Sequence, residues 1–461
     1  MHPRAADTIV ACATAPGRGA IALVRLSGAQ AADIARRVCT PLPETARAVV
    51  LATLHEAGAP DRVIDHGLVT RFVAPHSFTG EDVVEFAVHG GAMVRTLLMA
   101  ACVSEGARPA LPGEFSERAV LHGKMDLVQA EAVADLIDAR SLASHRAAVR
   151  QLDGALSRRL AAIRDALLQV DALLAYDIDF PGEDEASPSR ARVLAGCDAA
   201  IAQVDRLLAT LPAAALGRDG VLVVLAGPPN AGKSALLNAL VGEARVLVSE
   251  IPGTTRDAVE VLVDDTPYPL RLVDTAGLRE SGDALERMGI EMSERYVAQA
   301  HVVLVCADDP VVLMRAVAPV QAMTRGVVVP VLTKVDLVPS WPARDGGMQE
   351  GAVPPGVVRV SVVSGTGLDT LHQAIRTAVA EQAAFPDGDT PVVTRARHER
   401  ALRRAGGELR AFRDSWETGA LPSPVAATHL RAATTALEEL IGAVDVEDVL
   451  ELVFRTFCVG K

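Results

Sequence analysis

Apolar residues follow two different rhythms along the chain. Over about residues 1–120, short apolar runs alternate with turn residues. Thr8–Thr14, Ala20–Leu26, Gly67–Val73 and Val83–Val88 have the length and composition of strands. Gly17, Gly19, Gly58, Gly80, Gly90 and Gly91 punctuate them, and Gly91 leads into a helical stretch, Met93–Val103. This pattern predicts an N-terminal α+β domain. From about Met125 the spacing becomes three and four: Leu127, Val128, Ala130, Val133, Ala134 and Ile137, then Leu152, Leu156, Leu160, Ile163, Leu167, Val170 and Leu174. These are amphipathic helices. Pro181-Gly-Glu-Asp-Glu-Ala-Ser-Pro is a polar break before a further helix to about Leu211, and helical patterning resumes after Pro391. Between the helical stretches, Val221–Ala226, Val259–Val263, Leu270–Val273, Val302–Cys306, Val327–Leu332 and Val357–Ser361 read as strands alternating with helices. That alternation signals a mostly parallel sheet. The expected organisation is multidomain: an α+β domain over 1–120, an all-α helical domain over 121–216 and 381–461, and an α/β domain over 217–380 inserted into it.

Composition narrows the function classes. The 461 residues carry 45 Lys+Arg against 58 Asp+Glu, a net charge of −13, which argues against a basic nucleic-acid coat though not against a local basic patch. Half the residues are hydrophobic, but no run of eighteen apolar residues and no signal-peptide pattern stands out, so a cytoplasmic protein without a membrane span is expected. Six dispersed cysteines with no Cys-x-x-Cys favour reduced thiols over a disulfide frame or a zinc site. Only four of the basic residues are lysines: Lys124, Lys233, Lys334 and Lys461. In so arginine-rich a chain, a lysine can mark a place where a slim ammonium fits and a planar guanidinium does not.

Two of those lysines sit in nucleotide motifs. The run Val221–Ala226 leads into Gly227-Pro-Pro-Asn-Ala-Gly-Lys-Ser234 and then a helical pattern. Such a loop turns backbone N–H groups toward phosphates at a helix N-terminus. Asn230, Ala231, Gly232, Lys233, Ser234 and Ala235 are its candidate contacts, with Lys233 reaching the β/γ oxygens and Ser234 supplying a hydroxyl for Mg²⁺. Asp274-Thr275-Ala276-Gly277 and Thr333-Lys334-Val335-Asp336 each follow a predicted strand. Asp336 can accept two hydrogen bonds from guanine, and Lys334 can lie along the base. In this order the motifs resemble the Ras-like P-loop GTPases. Three departures stand out: Thr333 where the family has Asn, Ser361-Val-Val-Ser-Gly where it has Ser-Ala, and Leu278 where the enzymes place a water-orienting Gln. Asn230 together with Ser249-Glu250-Ile251-Pro252-Gly253-Thr254-Thr255-Arg-Asp257 resembles the potassium-activated branch, in which K⁺ takes the place of an arginine finger's charge.

The two ends of the chain add further motifs. They are the run from Asp7 to Gly28, Ser77-Phe-Thr-Gly-Glu-Asp-Val-Val-Glu85, His89-Gly-Gly91, Pro112-Gly-Glu-Phe-Ser-Glu-Arg-Ala119, Lys124-Met-Asp-Leu and Cys458-Val-Gly-Lys461. With the GTPase module between helices, the chain closely resembles the MnmE (TrmE) family of tRNA modification GTPases over nearly its whole length. The resemblance implies an N-terminal folate-binding and dimerisation domain, a homodimer, and a heterotetramer with the flavoprotein MnmG. It implies addition of an aminomethyl or carboxymethylaminomethyl group to carbon five of the wobble uridine of certain tRNAs. The one-carbon unit comes from a tetrahydrofolate derivative (5-formyl or methylene form). By the same resemblance the folate contacts fall on Arg25, Glu85, Lys124 and Lys461, the K⁺ ligands on Asn230, Ser249, Ile251 and Thr254, Mg²⁺ on Ser234 and Thr255, and the hydrolytic carboxylate on Glu286.

Other features admit more than one reading. Cys458 reads as a structural thiol rather than a nucleophile or lipidation site. His89 reads as a bonded structural histidine before a ligand contact. Arg395, Arg397, Arg400, Arg403, Arg404, Arg410 and Arg413 form either an RNA-phosphate face or a solvated helix with acidic neighbours. A ribosome-assembly GTPase that only switches, and a folate-dependent aminomethyltransferase with a regulatory GTPase, are the competing function classes.

Overall fold

The computed structural model describes residues 7–139, 141–179, 190–243, 260–263, 268–274, 293–337, 356–382 and 391–442, with 453, 454, 457 and 460. The chain divides into two compact units. One comprises residues 1–134, 151–200 and 407–461; the other comprises 135–150 and 201–406.

The first unit contains a seven-stranded sheet built from β1 (Ile9–Cys12), β2 (Ile21–Ser27), β3 (Cys39–Thr40), β4 (Val49–Glu56), β5 (Ala59–Phe72), β6 (Val83–His89) and β7 (Arg108–Pro109). Their order is β3-β4-β5-β6-β2-β1-β7, antiparallel except for the β1–β7 pair. Alternate residues bury one face: Val24 and Leu26, Val84, Phe86 and Val88, Ala52 and Leu54, and Val69. Helices Ala31–Val38 and Ala92–Ser104 cover that face with Ile34, Ala35, Val38, Leu98, Ala101 and Cys102. The opposite face carries Leu23, Arg25, Glu85, Ala87, Leu68 and Leu51 in register across neighbouring strands.

The β4–β5 hairpin departs from expectation. Only Gly67–Val73 reads as a strand in the sequence, whereas β5 starts at Ala59 and pairs with an unforeseen β4. Asp61, Arg62, Asp65 and His66 interrupt the apolar pattern there, because the hairpin tip is largely solvated and needs no alternating core residues. Gly58, at φ +65°, makes the turn.

In the helical part of this unit, Ala155–Asp179 packs against Ser423–Ile441. Leu156, Leu160, Ile163, Leu167, Val170 and Leu174 form its buried stripe, as their spacing predicts. Arg190–Asp219 meets the length and mean hydropathy of a membrane span. It is two helices, Arg190–Leu208 and Leu211–Asp219, parted by a turn at Ala209–Thr210, and Val193, Cys197, Ala200, Val204 and Leu207 along the first are buried. That is the pattern of a core helix.

The second unit holds a six-stranded sheet: β8 (Val221–Ala226), β9 (Glu260–Val263), β10 (Leu270–Asp274), β11 (Val302–Ala307), β12 (Val327–Leu332) and β13 (Val358–Arg359), in the order β13-β12-β11-β8-β10-β9. Only β9 runs antiparallel to its neighbour. β8 is buried along its whole length. Val221, Val223 and Leu225 enter one core and Leu222, Val224 and Ala226 the other, which is why this strand reads as an unbroken apolar run. Helices Lys233–Glu243, Pro310–Met323 and Leu368–Gln382 flank the sheet. The strand ends of β8, β10, β11 and β12 place the nucleotide motifs at one edge of it.

Candidate functional site

The phosphate loop begins where β8 ends. At Gly227 φ is +139°, and a Cβ there would stand 2.1 Å from the carbonyl oxygen of Cys306 on neighbouring β11. Only glycine lets the loop pass so close. Asn230 and Gly232 also take positive φ, +62° and +79°. Lys233 opens the helix Lys233–Glu243, and its ammonium donates to the carbonyls of Gly227 (2.9 Å) and Pro228 (2.8 Å). Ser234 Oγ donates to Asp274 Oδ2 at 2.5 Å. Asp274 ends β10, where it is the register partner of Leu225 on β8. A hydroxyl and a carboxylate held together are hard oxygen donors of the kind Mg²⁺ takes, directly or through water, so this pair fits the expected metal.

The base-recognition loop follows β12 and is tied to the phosphate loop. Thr333 Oγ1 donates to the carbonyl of Ala231 at 2.7 Å, a buried bond. Lys334, at φ +56°, donates from Nζ to the carbonyl of Asn230 (2.6 Å) and to Asp308 Oδ2 (2.9 Å). That hydrogen bond, against slight burial, holds the Asp308 carboxyl below its ordinary range. Asp336 Oδ1 accepts from Ser361 Oγ at 2.5 Å, and Ser361 is fully buried. Thr333 cannot donate an amide to guanine, but its hydroxyl joins the two loops. Sequence reading missed Asp308, because a lone Asp after a strand is most often a helix cap; here the next residue, Asp309, caps the helix and Asp308 grips the lysine.

In the other unit, Arg25 and Glu85 are register partners across β2 and β6, bonded Nε to Oε1 at 2.8 Å. The guanidinium of Arg25 lies 5.3 Å from the Phe78 ring centroid and 5.6 Å from that of Phe115, within cation–π range. Lys124 lies beside Gly80, and its ammonium donates to the Pro75 carbonyl at 2.9 Å. Residues near the C-terminal end return to this domain. Phe454 and Phe457 pack on Leu127 and Ala130 and border Gly113, and Gly460 lies against Cys12 and Ala13 of the β1 end. Ala11 on that strand is the register partner of Arg25.

The motifs Ser77–Glu85 and Pro112–Ala119 contribute to a buried ionic cluster in the same domain. Arg118 is 2% exposed and donates to Glu81 (3.0 Å to Oε2), Glu114 (3.0 Å) and the Asp7 carbonyl (2.8 Å). Ser27 Oγ donates to Glu81 Oε2 and Arg108 donates twice to Glu114. Burial pushes the Glu114 carboxyl up, but hydrogen bonds from Arg108, the Leu111 N–H and Arg118 outweigh it and bring it below the usual carboxylate range. Sequence reading missed this cluster, since its members lie as far apart as Ser27 and Arg118 and no local spacing joins them.

Several residues with more than one reading have intramolecular partners. His89 Nδ1 pairs with Asp65 at 2.8 Å. Arg395 pairs with Asp135, Arg403 with Glu399, and Arg413 with Asp198 and Glu417, as on a solvated helix with acidic neighbours. Burial pushes the thiols of Cys39, Cys102, Cys197 and Cys306 up to about 12, so they stay protonated and inert. Among the described residues no cluster of three or more His, Cys, Asp or Glu could hold a metal. Ser249 to Thr255, Thr275, Ala276, Gly277, Leu278, Glu286, Cys458 and Lys461 lie outside the described residues.

Comparison with known proteins draws these observations together. Residues 8–124 match the family model for the GTP-binding protein TrmE N-terminus, and residues 127–458 match the model for the MnmE helical domain. A tRNA modification GTPase MnmE from Aromatoleum aromaticum is 41% identical, the match covering 100% of this chain and 99% of that one. Another from Azoarcus sp. is also 41% identical, with the same coverage. Among solved structures, the G domain of the T. maritima FeoB iron transporter is 25% identical, covering 34% of this chain and 98% of that one, at a TM-score of 0.26.

Proposed function

The chain belongs to the MnmE family of tRNA modification GTPases and hydrolyses GTP; from that premise, we propose how its two sites divide the work. GTP binds across the phosphate and base loops of the second unit. Lys233 leaves the Gly227 and Pro228 carbonyls for phosphate oxygens, and Asp336 accepts from guanine while Lys334 lines the base. Ser234 and Thr255 would hold Mg²⁺, with Asp274 beside Ser234, and the ion would offset the negative charge of the bound phosphates. Asn230, Ser249, Ile251 and Thr254 hold K⁺, and Glu286 positions the attacking water, since Leu278 cannot. Ala235, Glu250, Pro252, Gly253, Thr275, Ala276 and Gly277 complete the nucleotide contacts.

The first unit binds a reduced folate, and the protein works in the cytoplasm as a homodimer with the flavoprotein MnmG on the wobble uridine of tRNA. The observation that carries this reading is the convergence of distant segments: the Arg25–Glu85 pair, Lys124 beside Gly80, and Gly460 at the end of β1. A glutamate accepts from a pterin, while lysine and arginine suit folate carboxylates. Dimerisation is supported by the same sheet face, where register partners Leu51 and Leu68 are 67% and 48% exposed.

Calorimetry with a reduced folate, beside a GTPase assay on one preparation, tests the division. Deleting Val459–Lys461 is expected to weaken folate binding and abolish tRNA modification while GTP turnover persists. Unchanged folate affinity would sink the shared site. For the cation, GTP turnover in matched KCl and NaCl is expected to be faster in K⁺, and equal rates would remove that reading.

A further inference from the structure

Lys334 is held by more partners than lining a base requires. It takes φ +56°, a left-handed conformation that disfavours any residue with a Cβ. Its ammonium has two acceptors: the Asn230 carbonyl in the phosphate loop at 2.6 Å, and Asp308 Oδ2, just past the end of β11, at 2.9 Å. The neighbouring Thr333 hydroxyl donates to the Ala231 carbonyl, so consecutive residues of the base loop bond to consecutive carbonyls of the phosphate loop. A Cβ on Gly232 would stand 3.7 Å from Thr333 Cβ and 3.8 Å from Lys334 Cε, so the lysine stem runs close over that loop.

Asp308 is placed to act as an anchor from a third element. β11 is buried along its whole length and fixes the residue before it. On the other side Asp309 caps the helix Pro310–Met323, accepting from the Val311 and Val312 N–H groups at 2.8 and 3.0 Å. Asp308 therefore lies between a buried strand and a capped helix, with its backbone set by both neighbours and its carboxylate on the lysine. That bond holds the carboxyl below its ordinary range, so the pair stays ionic at neutral pH. The two side chains are 36% and 48% exposed, so the pair adds little to the stability of the fold. Its value lies in orientation: one carbonyl leaves the ammonium free to swing about a single bond, and the carboxylate fixes it from a second side.

We infer that Asp308 is a positioning residue for nucleotide retention: it holds Lys334 across the base and phosphate loops and so slows the escape of a bound guanine nucleotide. This rests on the reading of Lys334 along the base given above and deepens it. A guanine seated on the lysine stem leaves when that stem gives way. The strain of the left-handed backbone favours release of the stem, and the two bonds to the ammonium oppose it. Without the Asp308 charge the carbonyl bond stands alone, and the base loop opens more often. GDP and GTP share the base, so one anchor retains both.

The test follows release of a fluorescent GDP analogue, N-methylanthraniloyl-GDP, by stopped flow from the full-length protein, with thermal unfolding read on the same samples. Asp308→Asn keeps the size of the side chain and removes its charge. It should release the analogue about three- to fivefold faster, the scale of one exposed ion pair, with the unfolding temperature close to wild type. A double-mutant cycle tells action through the lysine from a general loosening. Lys334→Met keeps the apolar stem and removes the ammonium. It should also release faster, and adding Asp308→Asn to it should change nothing more. Equal acceleration by Asp308→Asn in both backgrounds would overturn the inference, since Asp308 would then act elsewhere. Wild-type release from Asp308→Asn beside faster release from Lys334→Met would overturn it too, and would leave the base reading intact. Wild-type release from Lys334→Met would instead bring down the reading of Lys334 at the base, and the anchor with it.

Discussion

The two candidate sites are built in opposite ways. In the parallel sheet, the site is backbone: carbonyls and N–H groups at the ends of β8, β10, β11 and β12, fixed by residues at positive φ such as Gly227, Asn230 and Lys334. In the antiparallel sheet, the candidate site is side chain: Arg25 and Glu85 stand on a strand face paired with each other, in a unit that also holds the buried cluster of Arg118, Glu81 and Glu114. A backbone site is tolerant of its surroundings but intolerant of an added methyl. A strand-face site tolerates substitution of loop residues but depends on distant charges remaining paired.

The largest effect expected from this contrast is in the buried cluster. Glu114→Gln leaves buried Arg118 with Glu81 as its remaining carboxylate and part-exposed Arg108 with Asp7, a change that costs up to about 3 kcal/mol, the low end for breaking a buried pair. Chemical denaturation should report that loss in the first unit, with nucleotide affinity unchanged. The pH dependence has a definite sign. Because the folded Glu114 carboxyl sits below its ordinary range, its contribution is present above that range and is lost as pH falls through it toward the depressed value. Glu114→Gln should therefore flatten the acid limb of the stability curve, and an unaltered limb would show that another carboxylate governs it.

The backbone site should fail in the complementary way. Gly227→Ala places a methyl 2.1 Å from the Cys306 carbonyl oxygen, so the phosphate loop must move. GTP affinity should fall by at least about a hundredfold, since strain and lost phosphate contacts add. Folate binding should be untouched; a joint loss would mean the two sites are not separable. Equilibrium binding of both ligands to one sample checks this.

The smallest effect separates Thr333 from its neighbours. Thr333→Val removes the buried hydroxyl bond to Ala231 and should weaken GTP about tenfold, the cost of one buried acceptor left unpaired. Thr333→Ser should restore most of it. If Val and Thr bind equally, the tie between the loops is carried by Lys334 alone.

The same contrast explains what was legible in the sequence. Gly227–Ser234, Asp274 and Thr333–Asp336 were readable because a backbone site is written in consecutive residues, with the spacing fixed by the loop. The buried stripe from Leu156 to Leu174 was equally plain, since one helix carries its own period. Arg25 and Glu85 are sixty residues apart in the chain and meet only through strand register, so the resemblance to a family, not the spacing, pointed to them. Arg118 with Glu81 and Glu114 escaped notice for the same reason. The β4–β5 hairpin escaped because solvated strands carry no apolar alternation.

One detail of the phosphate loop reaches into how such a protein can evolve. Asn230 holds φ +62°, a conformation open at low cost mainly to glycine, asparagine and aspartate. The residue is thus constrained by shape before any question of ligand arises. Within that short alphabet, asparagine offers a neutral amide oxygen, aspartate a charged one and glycine none. A lineage can move among these three without rebuilding the loop, so under the potassium reading proposed above the cation response is open to change at a single codon. For the experimenter the same alphabet makes Asn230→Gly a clean instrument: it deletes the oxygen and keeps the turn.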